Sequence, residues 1–275
     1  MEQSIRKRLV VGNRHVVGDG SWITVDVYGE PGAPGLVVVP GAMSDALGWR
    51  AVATAVDAVD AWPSVAVVNR RGRAPSGPLT AAYSLRTEVA DLGVVLDELG
   101  GARALFGWSY GGLIALLAAD ERPLRQVIAY EPVMRPFGLD ALPELRAAQE
   151  AADRDAAVEI VHRRIAGLDG AVVDALRADP EVWEGLRRVA GPLYAELAAL
   201  YEEPAPDALA RRADRVDLIV GGASRGTAPY GTSFDDVARR VPGAGLHELP
   251  GQGHMAHLQA PVELARLIAG LAAAG

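Results

Sequence analysis

The chain has 275 residues, of which 50% are hydrophobic and 23% charged, a balance that supplies a large core and excludes a disordered chain. Its formal net charge of −8 repels phosphate backbones, and no run of Lys and Arg offsets it, so no nucleic-acid partner is expected. The sequence has no cysteine, which excludes disulfides and cysteine nucleophiles. No segment reaches the roughly 20 apolar residues of a membrane span. We therefore expect a cytoplasmic protein with no membrane partner.

Short apolar runs alternate with longer helical patterns in the first half of the chain, which favours a mostly parallel sheet covered by helices. Strands are expected at 9–17, 22–28, 36–39, 65–68, 102–106 and 127–130. Helices are expected at 49–59, from an N-cap at Ser84 to Leu99, and at 113–119.

The pattern changes between residues 133 and 213, where strand-like runs vanish and prolines separate several short helical patterns. We interpret 133–213 as an inserted helical cap, and 1–132 and 214–275 as the two parts of one core. Alternation then returns, with strands at 216–220 and 246–249, a helix N-capped by Ser233, and a last helix from Pro261.

A Gly-x-Ser-x-Gly pattern at 107–111 lies between an expected strand and an expected apolar helix, the context of a nucleophile elbow. So sharp a turn strains the serine backbone and brings neighbouring chain close, so the side chains on both flanks must be small. Ser109 would then be exposed at a helix N-terminus, where backbone N–H groups favour developing negative charge. The alternative is a glycine-rich turn with an incidental serine.

With this motif in place, the chain resembles the α/β-hydrolase fold family over nearly its whole length, and is similar to small actinobacterial members. The segments that carry the resemblance are Val39-Pro40-Gly41-Ala42, Asn69-Arg70-Arg71-Gly72-Arg73, Ala129-Tyr130-Glu131-Pro132 and Leu249-Pro250-Gly251-Gln252-Gly253-His254. The resemblance implies an α/β class fold, with an eight-stranded, mostly parallel sheet flanked by helices and an inserted helical cap. It also implies a catalytic triad and an oxyanion hole, and no cofactor.

A serine hydroxyl needs a positioned base at neutral pH, and the family correspondence assigns this role to His254. His257 is the nearest rival, and the spacing of the two histidines permits a metal site, but no Glu or Cys ligand is near and no metal is expected. We expect His257 to pack at the start of the last helix, and His15, His162 and His247 to occupy ordinary surface or strand positions.

The family correspondence assigns the oxyanion hole to the backbone N–H groups of Ala42 and Tyr110. The family usually has His-Gly where this chain has Pro40-Gly41, so we expect proline rigidity to hold that loop. The arginines at 70, 71 and 73 could bind an anionic substrate, although this loop is mostly structural in family members. Expected substrate-pocket residues are Trp108, Met43, Trp183 and Tyr194.

The acid of the triad departs from the family pattern. Gly221-Gly222-Ala223-Ser224 has a serine where the usual carboxylate follows the seventh strand. Glu131, at the end of the sixth strand, is the best substitute, because some members of the fold take their acid there. The alternatives are a capping role for Glu131, an acid at Asp235 or Asp236, or a Ser-His dyad.

These features predict a serine hydrolase, esterase- or thioesterase-like, that cleaves an ester, thioester, lactone or amide of a small, mainly apolar acyl substrate. Its partner would be that small molecule, and a monomer and a homodimer are both compatible with the sequence. One alternative is a ligand-binding protein on a hydrolase scaffold with little turnover. Others are an acyl transferase or cyclase of secondary metabolism, or a C–C hydrolase.

Overall fold

A computed structural model describes residues 10–273 except positions 18, 31, 34 and 203. Eight strands form one sheet in the order β1-β2-β4-β3-β5-β6-β7-β8. They are β1 (Val10–Val16), β2 (Trp22–Gly29), β3 (Leu36–Val39), β4 (Ser64–Asn69), β5 (Ala104–Trp108), β6 (Leu124–Tyr130), β7 (Ala213–Gly221) and β8 (Gly245–Leu249). The β1–β2 and β2–β4 pairs are antiparallel and the other neighbours are parallel. The expected eight-stranded, mostly parallel sheet is confirmed.

Helices cover both faces of this sheet. They are α1 (Arg50–Ala58), α2 (Leu85–Glu98), α3 (Tyr110–Glu121), α4 (Leu142–Glu150), α5 (Arg154–Ile160), α6 (Gly170–Ala178), α7 (Pro180–Val189), α8 (Leu193–Glu202), α9 (Tyr230–Ala238), α10 (Ala256–Gln259) and α11 (Pro261–Ala273). A π-helical turn, Val161–Ile165, continues α5. Within the described part of the chain, every helix is too short or too polar to cross a bilayer.

The central strands are apolar on both faces because each face packs against helices. In β3, Leu36 and Val38 belong to the apolar cluster shared with α1 and α11, whereas Val37 and Val39 belong to the cluster shared with α2 and α3. Because β3, β5 and β6 are parallel neighbours, their carboxyl ends lie at the same edge of the sheet. The loops after these three strands begin at that edge.

Helices α4 to α8 lie between β6 and β7, where the sequence predicted several short helices. They join the same apolar cluster as α2 and α3 through side chains such as Leu145, Val158 and Leu197. The division of the chain into a cap and a core stays a prediction.

Two helix starts test the capping arguments. Ser84 caps α2 as expected, since its Oγ accepts the N–H of Thr87 at 3.2 Å. The prediction for Ser233 is wrong, because α9 begins earlier, at Tyr230, and Ser233 is buried inside the helix. Its Oγ instead accepts the N–H of Met134 at 3.1 Å, a bond between distant segments that no local pattern encodes.

Candidate active site

Ser109 occupies a strained turn between β5 and α3, with φ of 57° and ψ of −123°. A Cβ on Gly107 would lie 2.4 Å from the carbonyl oxygen of Gly111, and one on Gly111 would lie 2.2 Å from that of Val39. Both glycines are therefore required sterically, as the motif predicted. The Ser109 side chain makes no capping hydrogen bond and lines a cavity, although only 6% of the residue is exposed.

The structure brings Glu131 to His254. Glu131 follows β6 directly, is fully buried, and has a positive φ of 40°. Its Oε2 lies 2.7 Å from Nδ1 of His254, and its Oε1 accepts the N–H of Gly221 at 2.9 Å. A carboxylate at Nδ1 keeps that nitrogen protonated and leaves Nε2 free to accept a proton.

The other candidate acids lie elsewhere. Ser224, at the place where the resemblance implied the usual acid, is in the turn after β7, and its backbone N–H donates to the carbonyl of Gly221. Asp236 pairs with Arg239 on the outside of α9, and Asp235 lines a different surface pocket.

Two hydrogen bonds fix the loop that carries His254. The indole N–H of Trp108 donates to the carbonyl of His254 at 2.8 Å, and the hydroxyl of Tyr130 donates to the carbonyl of Gly253 at 2.7 Å. Trp108 ends β5 and Tyr130 ends the neighbouring β6, so the same sheet edge positions Ser109 and His254.

Burial lowers the pKa of His254, and the hydrogen bond and charge of Glu131 partly oppose that shift. A lowered pKa favours the neutral imidazole, the form that can act as a base. Burial, with a smaller contribution from His254, lowers the pKa of His257 to about 3. His257 stacks on Trp49, with ring centroids 4.8 Å apart, and is not among the residues that line the cavity.

The cavity around Ser109 and His254 measures about 570 Å³. Its apolar wall comes largely from the segment between β6 and β7, including Val161, Ile165, Leu176, Leu186, Leu193 and Leu197. Met43 and Trp108, two of the residues expected in a substrate pocket, also line this cavity.

Two of the expected pocket residues do not line this cavity. Trp183 is buried in the helical segment, where its indole donates to Asp155 at 2.6 Å, and Tyr194 lines a separate small cavity. His162, expected at an ordinary position, does line the main cavity, on the π-helical turn. The sequence could not separate these side chains, because the packing of short helices decides which of them face inward.

The loop after β3 adjoins the elbow. Ala42 and Tyr110 both line the cavity with Ser109, and a Cβ on Gly41 would lie 2.8 Å from Cβ of Ser109. Proline rigidity was expected to hold this loop, and the structure adds two hydrogen bonds from a side chain. Arg70 donates from Nε to the carbonyl of Pro40 and from Nη2 to that of Gly41, each at 2.8 Å.

The arginines after β4 are buried structural groups. Arg70, Arg71 and Arg73 are each 2% exposed or less. Arg71 pairs with Asp91, and Arg73 pairs with Glu196 of α8, both at 2.6 Å. Since carboxylates already occupy these guanidinium groups, the structure does not support an anionic-substrate site there.

A sequence model of the alpha/beta hydrolase family matches residues 36–267, so the chain belongs to that family. A search among curated proteins found no significant match.

Solved structures give the same fold. An alpha/beta hydrolase from Sphaerobacter thermophilus superposes with a TM-score of 0.75 at 26% identity, covering 94% of this chain and 98% of that one. An esterase from Rhodococcus sp. has a TM-score of 0.71 at 18% identity, covering 98% and 99%. The bottromycin epimerase, solved in complex with bottromycin A2, has a TM-score of 0.62 at 26% identity, covering 94% and 98%.

Proposed function

We propose that this chain is a serine hydrolase that cleaves an ester or related acyl bond through an acyl-serine intermediate. The observation that carries the proposal is the 2.7 Å contact between Glu131 and Nδ1 of His254, beside a cavity that Ser109 also lines. A strained serine, a histidine with a free Nε2 and a buried orienting carboxylate form the set that acyl transfer to serine requires.

In the proposed reaction, Oγ of Ser109 attacks the substrate carbonyl carbon while Nε2 of His254 takes the hydroxyl proton. The N–H groups of Ala42 and Tyr110 stabilise the negative charge that develops on the carbonyl oxygen. The imidazolium then protonates the leaving group, and the acyl group stays on Ser109. Nε2 next removes a proton from water, whose oxygen attacks the acyl carbon. The C–Oγ bond then breaks while the imidazolium returns its proton to Oγ of Ser109, so that acid and free serine are released. Glu131 stabilises the imidazolium in both halves of the reaction.

The cavity supports an uncharged, mainly apolar acyl substrate. Among the described residues that line the cavity, only Glu196 carries a carboxylate, and none is a lysine or an arginine. Arg70 and Arg73 already neutralise the charge of Glu196. Because a charged substrate group would be buried there without a partner, such substrates are disfavoured. A volume of about 570 Å³ exceeds what a short acyl group fills, so we extend the proposal to medium and large acyl groups.

We also propose that residues 133–213 act as the cap of this site. The helices within this segment supply most of the apolar wall, and the elbow comes from the sheet. Such a division assigns substrate selection to the helical segment and bond cleavage to the sheet edge.

A ligand-binding protein with little turnover is the rival function. The absence of a carboxylate at Ser224, after β7, favours this rival. The contact between Glu131 and His254 favours the enzyme, since a binding site needs no orienting acid.

Fluorophosphonate labelling together with p-nitrophenyl ester hydrolysis tests the proposal. The native chain should be labelled at Ser109 and turn over esters, and Ser109→Ala should lose both, with turnover falling by about 10⁴–10⁶. Ser224→Ala, a change at another buried serine, should keep both. Labelling and turnover that survive Ser109→Ala would refute acyl-serine chemistry, and a native chain with neither would favour the binding protein.

A further inference from the structure

We propose that Arg70 is a positioning residue for the oxyanion hole and that Glu196 of α8 holds it in this role. The inference rests on the serine hydrolase function proposed above. It assigns a task to a buried arginine that neither the motif nor the family match identifies.

The guanidinium of Arg70 binds two consecutive carbonyl groups of the loop after β3. Nε donates to the carbonyl of Pro40 and Nη2 to that of Gly41, each at 2.8 Å. Two donors in a rigid planar fork fix both the position and the orientation of this short segment. A lysine ammonium could not reproduce that geometry.

The second of these carbonyls is directly linked to the proposed oxyanion donor. The carbonyl of Gly41 and the N–H of Ala42 belong to one planar trans peptide unit, in which the two groups point in opposite directions. By holding the carbonyl, Arg70 therefore directs the Ala42 N–H away from itself. Ala42 lines the cavity with Ser109, and Gly41 packs closely against the elbow.

The positive charge of Arg70 adds to this geometric effect. A hydrogen bond from a charged donor to a carbonyl polarises the whole peptide unit, which makes its N–H a stronger donor at the other end. Arg70 is fully buried, so water screens this effect little. A developing oxyanion would consequently meet a fixed dipole that needs no rearrangement.

The same network reaches the second proposed donor. Cζ of Arg70 lies 5.1 Å from the ring centroid of Tyr110, whose hydroxyl is 3.3 Å from that of Tyr83. Tyr83 donates to Glu88 at 2.7 Å, and Glu88 pairs with Arg70 at 2.6 Å. Arg70 thus packs against the residues on both sides of the proposed hole.

Glu196 links this network to the helical segment. Its Oε1 is 2.7 Å from Nη2 of Arg70 and 2.6 Å from Nη1 of Arg73, and it is 1% exposed. Burial by itself raises the pKa of Glu196, but the charges and hydrogen bonds of the two arginines outweigh it and hold that pKa below its ordinary value, which keeps the group charged. With Glu88, it balances the two buried guanidinium groups, an arrangement that stays buried only while every member is paired. The position of α8 is thereby coupled to the loop that carries Ala42.

Paired substitutions test the role of Arg70. Arg70→Lys keeps the positive charge next to Glu88 and Glu196 but loses the paired hydrogen bonds to the two loop carbonyls. We expect kcat on a short p-nitrophenyl ester to fall by about 10- to 100-fold with little change in KM. Affinity for a trifluoromethyl ketone, which forms a tetrahedral oxyanion on the serine, should fall by a similar factor.

Arg71→Lys is the matched control, because Arg71 is equally buried but its side chain binds Asp19, Thr80 and Asp91 and not the loop. We expect it to keep kcat and inhibitor affinity within about threefold. Equal losses in the two variants, or a rise in KM with kcat unchanged in Arg70→Lys, would reduce Arg70 to a structural residue.

If Arg70→Lys does not fold, Glu196→Gln gives a second reading, because it keeps the shape of the side chain and removes its charge. We expect a smaller loss of kcat, about 3- to 30-fold, with KM unchanged, and an unaffected kcat would overturn the inference. A native chain that hydrolyses no ester and is not labelled would refute the proposed function and this inference together. An active native chain with an unaffected Arg70→Lys would refute the inference alone.

Discussion

The phenol ring of Tyr230 lies parallel to the imidazole of His254, with ring centroids 3.5 Å apart and 8° between the planes. Trp108 packs against the same imidazole at 4.7 Å. The stack restricts rotation of the His254 ring while Glu131 fixes its Nδ1 edge. The two aromatic rings also contribute to the burial that lowers the pKa of His254. Tyr230 is therefore expected to affect both the geometry and the titration of the base.

Replacing Tyr230 by Ala tests this. Water would then reach the imidazole, so the pKa of His254 should rise toward the ordinary value of about 6.5. Since the neutral ring is the active form, the midpoint of the acid limb of kcat/KM should move to higher pH, with kcat about tenfold lower. Tyr230→Phe keeps the stack and should leave the midpoint in place. An unchanged profile in Tyr230→Ala would show that the stack does not control the base.

Glu131→Gln should shift the same profile in the opposite direction. The charge of Glu131 raises the pKa of His254, so its removal should move the acid-limb midpoint to lower pH. The amide neither stabilises the imidazolium nor selects the reactive tautomer, and turnover should fall by roughly 10²–10⁴. The measurement is kcat/KM against pH, with fluorophosphonate labelling in parallel.

A second carboxylate site offers a rescue. Ser224 occupies the place where the resemblance implied the acid, and its Oγ is 3.7 Å from where a Cβ on Gly253 would be. Ser224→Asp in the Glu131→Gln background should restore part of the activity, because the new carboxylate is near the loop of His254. Near-normal turnover in Glu131→Gln alone would contradict the triad and favour a Ser-His dyad.

Residues whose placement depends on local sterics or on strand order were predictable. The glycines at 107 and 111 follow from the sharpness of one turn, and the placement of Ser109 follows with them. Glu131 was predictable because β6 neighbours β5, so their carboxyl ends share an edge of the sheet. The choice between Glu131 and position 224 as the source of the acid depends on the path of the loop that carries His254, and the sequence does not show that path.

Residues that act across long sequence distances were not predictable. The side chain of Arg70 reaches back to a loop about 30 residues earlier and forward to α8, and a sequence shows neither contact. The stacking of Tyr230 on His254 could not be predicted, because it depends on where α9 begins. The capping pattern at Ser233 predicted that start at the wrong residue. Trp183 and Tyr194 are aromatic residues of the kind expected in an apolar pocket, but the packing of the short helices leaves both out of the wall of the main cavity.

The cavity wall predicts chain-length selectivity. Val172 on α6 lines the cavity but is 47% exposed, so a tryptophan there can extend into the cavity without overfilling the core. Val172→Trp should lower kcat/KM for a dodecanoyl ester by about tenfold and leave that for an acetyl ester nearly unchanged. The control is Val262→Trp on α11, which is 43% exposed and is not among the residues that line the cavity. Equal effects on both esters would assign Val172 a structural role.

Gly41 should tolerate no side chain, because it packs directly against the elbow. A Cβ there would lie 2.7 Å from the indole of Trp108 and 2.8 Å from both the Trp108 carbonyl oxygen and Cβ of Ser109. Two of these contacts are to a rigid ring and to backbone, so the loop must move away from Ser109. Gly41→Ala should destabilise the fold by about 1–3 kcal/mol. It should also lower kcat by roughly 10²-fold, since a displacement of about 1 Å misplaces the Ala42 N–H.

The control for this change is Gly185→Ala in α7, where a Cβ would meet nothing within 4 Å. Alanine is the better helix former, so stability should rise by about 0.5–1 kcal/mol with kcat unchanged. Urea unfolding gives both free energies, and ester hydrolysis well below the unfolding transition gives both rates. If Gly41→Ala lost stability but kept kcat, the loop after β3 would be a packing element only, and the oxyanion donors would have to be sought elsewhere.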